Sequence, residues 1–272
     1  MSKETPVDLR TTFDQVPDLY DRARPTYPAA VFDDLDDLTG LPAGARVAEI
    51  GCGTGQATIP MAERGWRVTC VELGATTAAY ARRKLAHRAD VEVINADFET
   101  WTPGRAGFDA IASFSAFHWL SQEARYQRTA DLLADHGQLI IFSTAHVQPA
   151  DGDRFFTDVQ EDYEAVVPDD PLTIAGGPRP PEEIGELSDG VLLAELGGSG
   201  RYGHVRIRHY LWDVVYAADR YIDVLGTYSN HIAFDDDIKT RLTDRIRRRI
   251  EARPGGTVRK TYLGLLYVAD RL

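Results

Sequence analysis

The chain has 272 residues, of which 43% are hydrophobic, so it can bury one sizeable core, and we expect residues 1–272 to form a single domain that carries insertions. The sequence shows neither a signal-peptide pattern nor an apolar run long enough to span a membrane, which predicts a cytoplasmic protein with no membrane contact. Its two cysteines, Cys52 and Cys70, lie in apolar runs, so a disulfide framework is not expected.

The net charge of −12 is concentrated in one segment. Residues 151–200 contain 13 Asp and Glu residues against two cations, Arg154 and Arg179. A protein that binds nucleic acid needs a basic stripe that displaces counterions from phosphate. The acidic segment opposes such a stripe, so nucleic acid is not predicted as a partner.

The N-terminal segment from Phe13 to Leu41 is rich in turns. It carries Tyr20, Arg24 and several prolines, and a helix is predicted from about Pro28. We interpret residues 1–39 as an arm that covers a ligand.

From Arg46 to Phe142, short β-rich runs alternate with amphipathic stretches, which is typical of a parallel sheet covered by crossover helices. The predicted strands are Arg46–Ile50, Arg67–Val71, Val91–Asn95, Phe108–Phe114 and Gln138–Phe142, with helices at Thr76–His87 and Gln122–Ala134. His136 and Gly137 are predicted to turn the chain into the fifth strand.

Residues 148–203 lose this periodicity and are interrupted by prolines and glycines, which predicts an inserted cap with helical pieces. The core is then residues 40–147 and 204–272, ending with a strand at Val205–Tyr216, two helices and a strand at about Val258–Ala269. In the last long helix, Arg245 and Arg247–Arg249 fall mostly off the apolar stripe, which predicts a solvated face.

Three alternating glycines follow the first strand directly. Without a Cβ, Gly51, Gly53 and Gly55 permit a sharp turn and let a ligand lie against bare backbone. The dinucleotide fingerprint needs a third glycine where this chain has Gln56, which disfavours a nicotinamide cofactor.

Polar residues follow the next three strands. Glu72 ends the second strand, where a carboxylate can accept both hydroxyls of a ribose. Asp97 and Phe98 follow the third strand and are candidates for the amino group and ring of adenine, and Ser113–Trp119 follow the fourth. Together the four loops favour an adenosyl site of the S-adenosylmethionine (SAM) type over a nicotinamide site or a purely structural turn.

At these motifs the sequence resembles the class I SAM-dependent methyltransferases, and within them the type 11 group that includes trans-aconitate methyltransferases. The resemblance covers nearly the whole chain, including the arm from Tyr20 to Pro28 and the closing segment from Thr261 to Arg271. It implies a Rossmann-like α/β fold with a seven-stranded, mostly parallel sheet whose final strand is antiparallel.

The resemblance also implies a set of cofactor contacts. The three glycines would line the methionine moiety, with Glu49 near its ammonium group, and Tyr20 and Arg24 would close over the cofactor. The implied cofactor-binding set is Tyr20, Arg24, Glu49, Gly51, Gly53, Gly55, Glu72, Leu73, Asp97, Phe98 and Ser113. The acidity of the cap suits a neutral or cationic substrate better than a tricarboxylate.

A sulfonium methyl group is already electrophilic, so the protein must mainly align the acceptor and exclude water. His118 is the candidate base or orienting residue, although a histidine at this position also suits capping or packing. Phe117 and Trp119 are predicted pocket walls, and His231 is a weaker pocket candidate. The histidines and cysteines show no metal-ligand spacing, so no metal is predicted.

The sequence thus predicts O-, N- or C-methylation of a small molecule in secondary metabolism by direct transfer from SAM, leaving S-adenosylhomocysteine, in a monomer or homodimer. One alternative is an enzyme of the same fold that keeps SAM bound while it catalyses a rearrangement or cyclisation. Another is a non-catalytic SAM-binding subunit.

Overall fold

The computed structural model describes residues 14–168 and 177–272. Phe13 and the rest of residues 1–13 of the predicted arm lie outside the described residues, as do residues 169–176 of the predicted cap. The chain forms two compact units. Unit 1 comprises residues 1–25, 146–181 and 213–262, and unit 2 comprises residues 26–145, 182–212 and 263–272.

Seven strands form one sheet in the order β3-β2-β1-β4-β5-β7-β6. They are β1 Arg46–Ile50, β2 Arg67–Glu72, β3 Val91–Asn95, β4 Phe108–Phe114, β5 Leu133–Val147, β6 Tyr202–Ala217 and β7 Thr257–Arg271. The pairs β1–β2, β1–β4, β2–β3 and β4–β5 are parallel, and the final strands are antiparallel. The predicted fold class is confirmed.

The helices follow the predicted order. They are α1 Pro17–Ala23, α2 Ala29–Thr39, α3 Thr58–Glu63, α4 Ala75–Leu85, α5 Thr129–Leu132, α6 Phe155–Asp158, α7 Gln160–Val166, α8 Pro181–Ser199, α9 Ala218–Leu225, α10 Ser229–Ala233 and α11 Asp236–Glu251. Pro28 caps α2, and the predicted cap does contain helical pieces. None of the described helices is long and apolar enough to cross a membrane.

The fifth strand begins earlier than predicted. A π-helical turn at Ala124–Arg128 and α5 occupy the predicted helix, which ends at Leu132 because Leu133 is extended and pairs with Phe108 on β4. A register irregularity follows before the ladder resumes at Gln138. His136 there has a φ of 65°, so the predicted turn is a break within β5 and not its start.

The core of unit 2 is built on the apolar faces of the sheet. Val47 and Phe142 are completely buried, as are Met61 on α3 and Trp66. The ring centroids of Phe114 and Phe142 are 5.5 Å apart, a spacing typical of favourable aromatic pairs. This packing fixes the central strands whose carboxyl ends carry the candidate site.

In unit 1, α11 buries Leu242, Ile246 and Ile250, as its apolar stripe predicts. The predicted basic face is at least partly exposed, but two of its arginines also hold a neighbouring helix. Arg245 and Arg249 both form ion pairs with Asp162 on α7, a residue that is 4% exposed. These arginines attach the acidic helix to α11 because a buried carboxylate requires charged partners.

Candidate functional site

The carboxyl ends of four parallel strands lie side by side at one edge of the sheet. The register pairs Ile50 on β1 with Val71 on β2 and with Ser113 on β4. Glu72 pairs with Asn95 on β3. The loops that follow these strands therefore begin at the same level, which places the sequence-predicted segments together.

The three glycines after β1 all have left-handed dihedrals, with φ of 64° at Gly51, 56° at Gly53 and 85° at Gly55. A Cβ added at Gly51 would lie 2.7 Å from the Cβ of Ala116, and one at Gly55 would lie 3.1 Å from a methyl of Leu85. At Gly53 a Cβ would meet no atom within 4 Å. Gly51 and Gly55 are thus required for packing as well as conformation, whereas Gly53 presents bare backbone to open space.

The carboxylate of Glu72 organises two loops. Its Oε2 accepts a hydrogen bond from the backbone N–H of Gly53 at 2.9 Å, and its Oε1 accepts one from the N–H of Gly74 at 2.9 Å. A carboxylate has about four acceptor positions. Glu72 therefore ties the glycine loop to the loop that begins at Gly74.

Asn95 secures the same edge, a role that sequence reasoning did not assign to it. Its side-chain amide donates to the carbonyl oxygens of Glu72 at 3.0 Å and Leu73 at 2.9 Å. The backbone N–H of Ala96 also donates to the Glu72 carbonyl, at 3.0 Å. The sequence signal was an amide residue ending the strand next to Glu72, where it can fix the neighbouring loop.

Glu49 lies within the core of unit 2. It is 1% exposed, and its Oε2 accepts a hydrogen bond from the Thr58 hydroxyl at 2.5 Å. Burial, partly offset by this hydrogen bond and a weaker one from Cys70, raises the pKa of Glu49 to about 7. The structure thus gives Glu49 a buried, partly protonated carboxyl group; its role beside an ammonium group stays a prediction.

The predicted adenine contacts occupy different environments. Asp97 is half-buried, and its Oδ1 accepts from the backbone N–H of Glu99 at 2.9 Å. Phe98 is 4% exposed and packs against Trp101, with ring centroids 6.3 Å apart. Ser113 is fully buried, and its hydroxyl has no hydrogen-bond partner among the described residues. Of these three side chains, Asp97 is therefore the most accessible to a ligand.

A short 3-10 helix, Phe117–Trp119, follows β4. Phe117 is buried against Tyr126, whereas His118 is exposed beside Trp119, with ring centroids 4.7 Å apart. Partial desolvation of its ring and the positive charge of Arg125 lower the pKa of His118. The imidazole is consequently neutral at neutral pH, the form that can accept a proton.

Three predicted site residues belong to unit 1. Arg24 donates from Nε to the Thr227 hydroxyl at 2.7 Å and stacks on the rings of Tyr20 and Tyr228. His231 is 5% exposed and shares a hydrogen bond of 2.9 Å with the Tyr163 hydroxyl. These residues are tied to neighbours within their own unit.

Both cysteines are free thiols and are buried. Among residues 14–168 and 177–272, no group of three or more His, Cys, Asp and Glu side chains is arranged to hold a metal ion.

Comparison with known proteins gives a consistent assignment. The family profile described as a methyltransferase domain matches residues 47–137. An uncharacterized methyltransferase of Geobacillus kaustophilus is 31% identical over 142 residues, which cover 49% of this chain and 65% of the relative. The chain spans only 45–65% of the lengths of the first curated relatives that it matches.

Solved structures share the fold at low sequence identity. A protein of Anaeromyxobacter dehalogenans assigned as a type II methyltransferase aligns with a TM-score of 0.59 and 18% identity, covering 91% of this chain and 97% of that one. The [4+2]-cyclase SpnF aligns with a TM-score of 0.53 and 16% identity, covering 99% and 98% of the two chains.

Proposed function

The chain carries a class I methyltransferase domain, and we propose that it transfers the methyl group of SAM to a small-molecule acceptor. The observation that carries the proposal is the paired geometry of Glu72 and Gly53, with Oε2 2.9 Å from the backbone nitrogen. This pair joins an acidic strand end to a glycine with bare, open backbone. That combination suits a ligand that has a ribose and also a chain that lies against the exposed backbone of the glycine loop.

The residues at this edge fit the cofactor. The open space at Gly53 accepts a ligand where a side chain would intrude, and the acidic side chain of Glu72 at the same edge suits the ribose hydroxyls. Asp97 is positioned after β3 to accept from the adenine amino group. The proposed contacts in unit 2 are Glu49, Gly51, Gly53, Gly55, Glu72, Leu73, Asp97, Phe98 and Ser113. Tyr20 and Arg24, in unit 1, stay predictions from the family resemblance.

When bound, SAM supplies a methyl group that is electrophilic because it is attached to a positively charged sulfur. The protein's task is to orient the acceptor and keep water away from the reacting atoms. His118, neutral because its pKa is lowered, accepts the proton of a hydroxyl or amine acceptor at an imidazole nitrogen. Phe117 and Trp119 are the proposed pocket residues in unit 2, and His231 in unit 1 stays a separate prediction.

The net charge of −12 supports a small-molecule acceptor over nucleic acid, because the acidic segment at residues 151–200 opposes binding to phosphate. The two buried free thiols support a reducing, cytoplasmic setting. A monomer or homodimer in secondary metabolism remains part of this proposal.

A second candidate is a rearrangement or cyclisation with SAM retained. The fold of the [4+2]-cyclase SpnF aligns over 99% of this chain, so the architecture suits either outcome. Both reactions need the same adenosyl site, and they differ in the fate of the methyl group.

Mass spectrometry of the purified chain with SAM and a panel of carboxylates, amines, phenols and polyenes separates the two. Methyl transfer yields S-adenosylhomocysteine and an acceptor that has gained one methyl group. The second candidate yields an isomer of the acceptor with SAM unchanged. Absence of SAM binding in the same preparation would exclude both.

A further inference from the structure

Unit 1 contains a buried lysine surrounded by aromatic rings. Lys260 on β7 is 3% exposed. Its Nζ lies over the rings of Tyr228 and Tyr262, 5.1 Å from each centroid, and 5.9 Å from the centroids of Phe156 and Tyr221. Aromatic faces attract a cation, but a fully buried ammonium group is costly unless it is also hydrogen-bonded.

The hydrogen bonds of Lys260 are incomplete. Nζ donates to the Tyr228 hydroxyl at 2.8 Å, whereas an ammonium group has three donors. Within residues 14–168 and 177–272, no carboxylate lies within salt-bridge distance of this nitrogen. The ammonium group therefore has an uncompensated charge and unused donors in a buried position.

Other buried charges of unit 1 are compensated. Asp162 is paired with Arg245 and Arg249, and Asp153 with Arg253. Two acidic residues of the predicted cap are thus engaged with arginines, and the preference of the cap for a neutral or cationic ligand stays a prediction. Among residues 14–168 and 177–272, Lys260 is the buried charged side chain of unit 1 that lacks an oppositely charged partner.

Further features of the cluster favour an anion. The Arg24 guanidinium stacks 4.4 Å from the Tyr228 centroid, adding a second positive charge. Burial tends to raise the pKa of Tyr228, but Lys260 and Arg24 more than offset this and lower it. The phenol is therefore a stronger donor than an ordinary tyrosine.

His146 lies at the same cluster and has a free polar atom. Its ring packs edge-on against Phe156, with centroids 4.3 Å apart, and its Nε2 is buried without a hydrogen-bond partner among the described residues. Burial, together with the charge of Lys260, lowers the pKa of His146 to about 2. The imidazole stays neutral, so it adds polarity without adding charge.

We infer that the Lys260 cluster binds the carboxylate of a small ligand with an aromatic or apolar body. The ammonium group and the Tyr228 hydroxyl would donate to the carboxylate oxygens, and the surrounding rings would contact the body. A carboxylate matches the single buried ammonium in charge. The inference uses only unit 1 residues and does not rest on methyl transfer.

The test uses the full chain with benzoate as the probe and benzamide as a neutral probe of the same shape. Thermal unfolding is followed at matched ionic strength. A benzoate concentration about tenfold above its dissociation constant should raise the melting temperature by about 3 °C. Benzamide should give no comparable rise.

Lys260→Met should abolish the benzoate shift, because it removes the ammonium donor. Lys239→Met is the matched control, since Lys239 is exposed on α11 and pairs with Asp236, and it should keep the shift. Should Lys260→Met fail to fold, Tyr228→Phe replaces it and should reduce the shift at least threefold. A missing benzoate shift in the wild-type chain, an equal shift with benzamide, or an unchanged shift in these variants would overturn the inference.

Discussion

The Glu72 carboxylate bridges two backbone N–H groups, with Oε2 2.9 Å from the Gly53 nitrogen and Oε1 2.9 Å from that of Gly74. Glu72→Gln replaces one carboxylate oxygen with an NH2 group, which donates and cannot accept a hydrogen bond. We expect the affinity for S-adenosylhomocysteine to fall about 10- to 100-fold, as for loss of a charge-assisted hydrogen bond. Titration calorimetry measures this, with Glu92→Gln on the exposed side of β3 as the control. Equal affinities of wild type and Glu72→Gln would remove Glu72 from the site.

Gly53 and Gly40 allow a matched test of whether a ligand lies against the exposed backbone of Gly53. Their φ angles are 56° and 61°, and a Cβ at either would meet no protein atom within 4 Å. Alanine at either position should destabilise the fold by about 1–2 kcal/mol, the cost of a left-handed residue with a Cβ. Only Gly53→Ala should also weaken S-adenosylhomocysteine binding, by at least about tenfold. Similar binding by the two variants would show that the Gly53 backbone does not face the ligand.

His118→Asn tests proton transfer. With a hydroxyl or amine acceptor, the rate should fall about 100-fold, while the affinity for S-adenosylhomocysteine is unchanged. Because the pKa of His118 is lowered from 6.5, the neutral base persists below that pH and the acid limb of the wild-type rate profile should lie below pH 6.5. His87→Asn, an exposed substitution, is the control. A full rate in His118→Asn would leave His118 with no part in proton transfer.

Glu49 should make the stability of the protein depend on pH. Its pKa is raised from 4.5 to about 7 in the folded state, so the folded protein binds more protons than the unfolded chain between these values. The contribution of Glu49 to the free energy of unfolding is therefore largest below pH 4.5. As the pH rises through about 7, this contribution falls by about 3 kcal/mol in total. Glu49→Gln should remove that slope in urea unfolding measured across this range.

Glu63→Gln on α3, where the side chain is exposed, should retain the slope of the wild type. A Glu49→Gln variant with the same pH dependence as wild type would show that Glu49 is not the titrating group.

Asp162 should contribute to the stability of unit 1. It is 4% exposed and pairs with Arg245 and Arg249, so Asp162→Asn removes the carboxylate that both arginines share, while Arg249 keeps its pair with Glu161. We expect a loss of about 1–3 kcal/mol in urea unfolding, below the range for fully buried pairs because the arginines are partly exposed. Asp237→Asn breaks an exposed pair with Arg241 and should cost less than about 0.5 kcal/mol. Equal losses would refute the structural role of Asp162.

Local patterns were sufficient to predict the adenosyl edge. β3 and β4 have the predicted bounds, since short apolar runs between turn signals determine them. The glycine spacing and the acidic end of β2 lie on adjacent strands, so a parallel sheet necessarily brings Gly53 and Glu72 together.

Contacts between residues that are distant in the chain could not be predicted from local patterns. β5 extends beyond its apolar run because Leu133 pairs with Phe108, which no local pattern records. The pairing of Asp162 with Arg249 joins helices far apart in the chain. The Lys260 cluster draws on Phe156 and Tyr228, which lie far from Lys260 in the chain. Its one sequence signal was a lysine inside the predicted final strand.

Titration calorimetry of S-adenosylhomocysteine into the purified wild-type chain tests the central claim most directly. We predict saturable heat with one ligand per chain, because the bare Gly53 backbone and the Glu72 carboxylate face one ligand at the sheet edge. A folded protein that releases no heat on titration with either S-adenosylhomocysteine or SAM would contradict the proposed site.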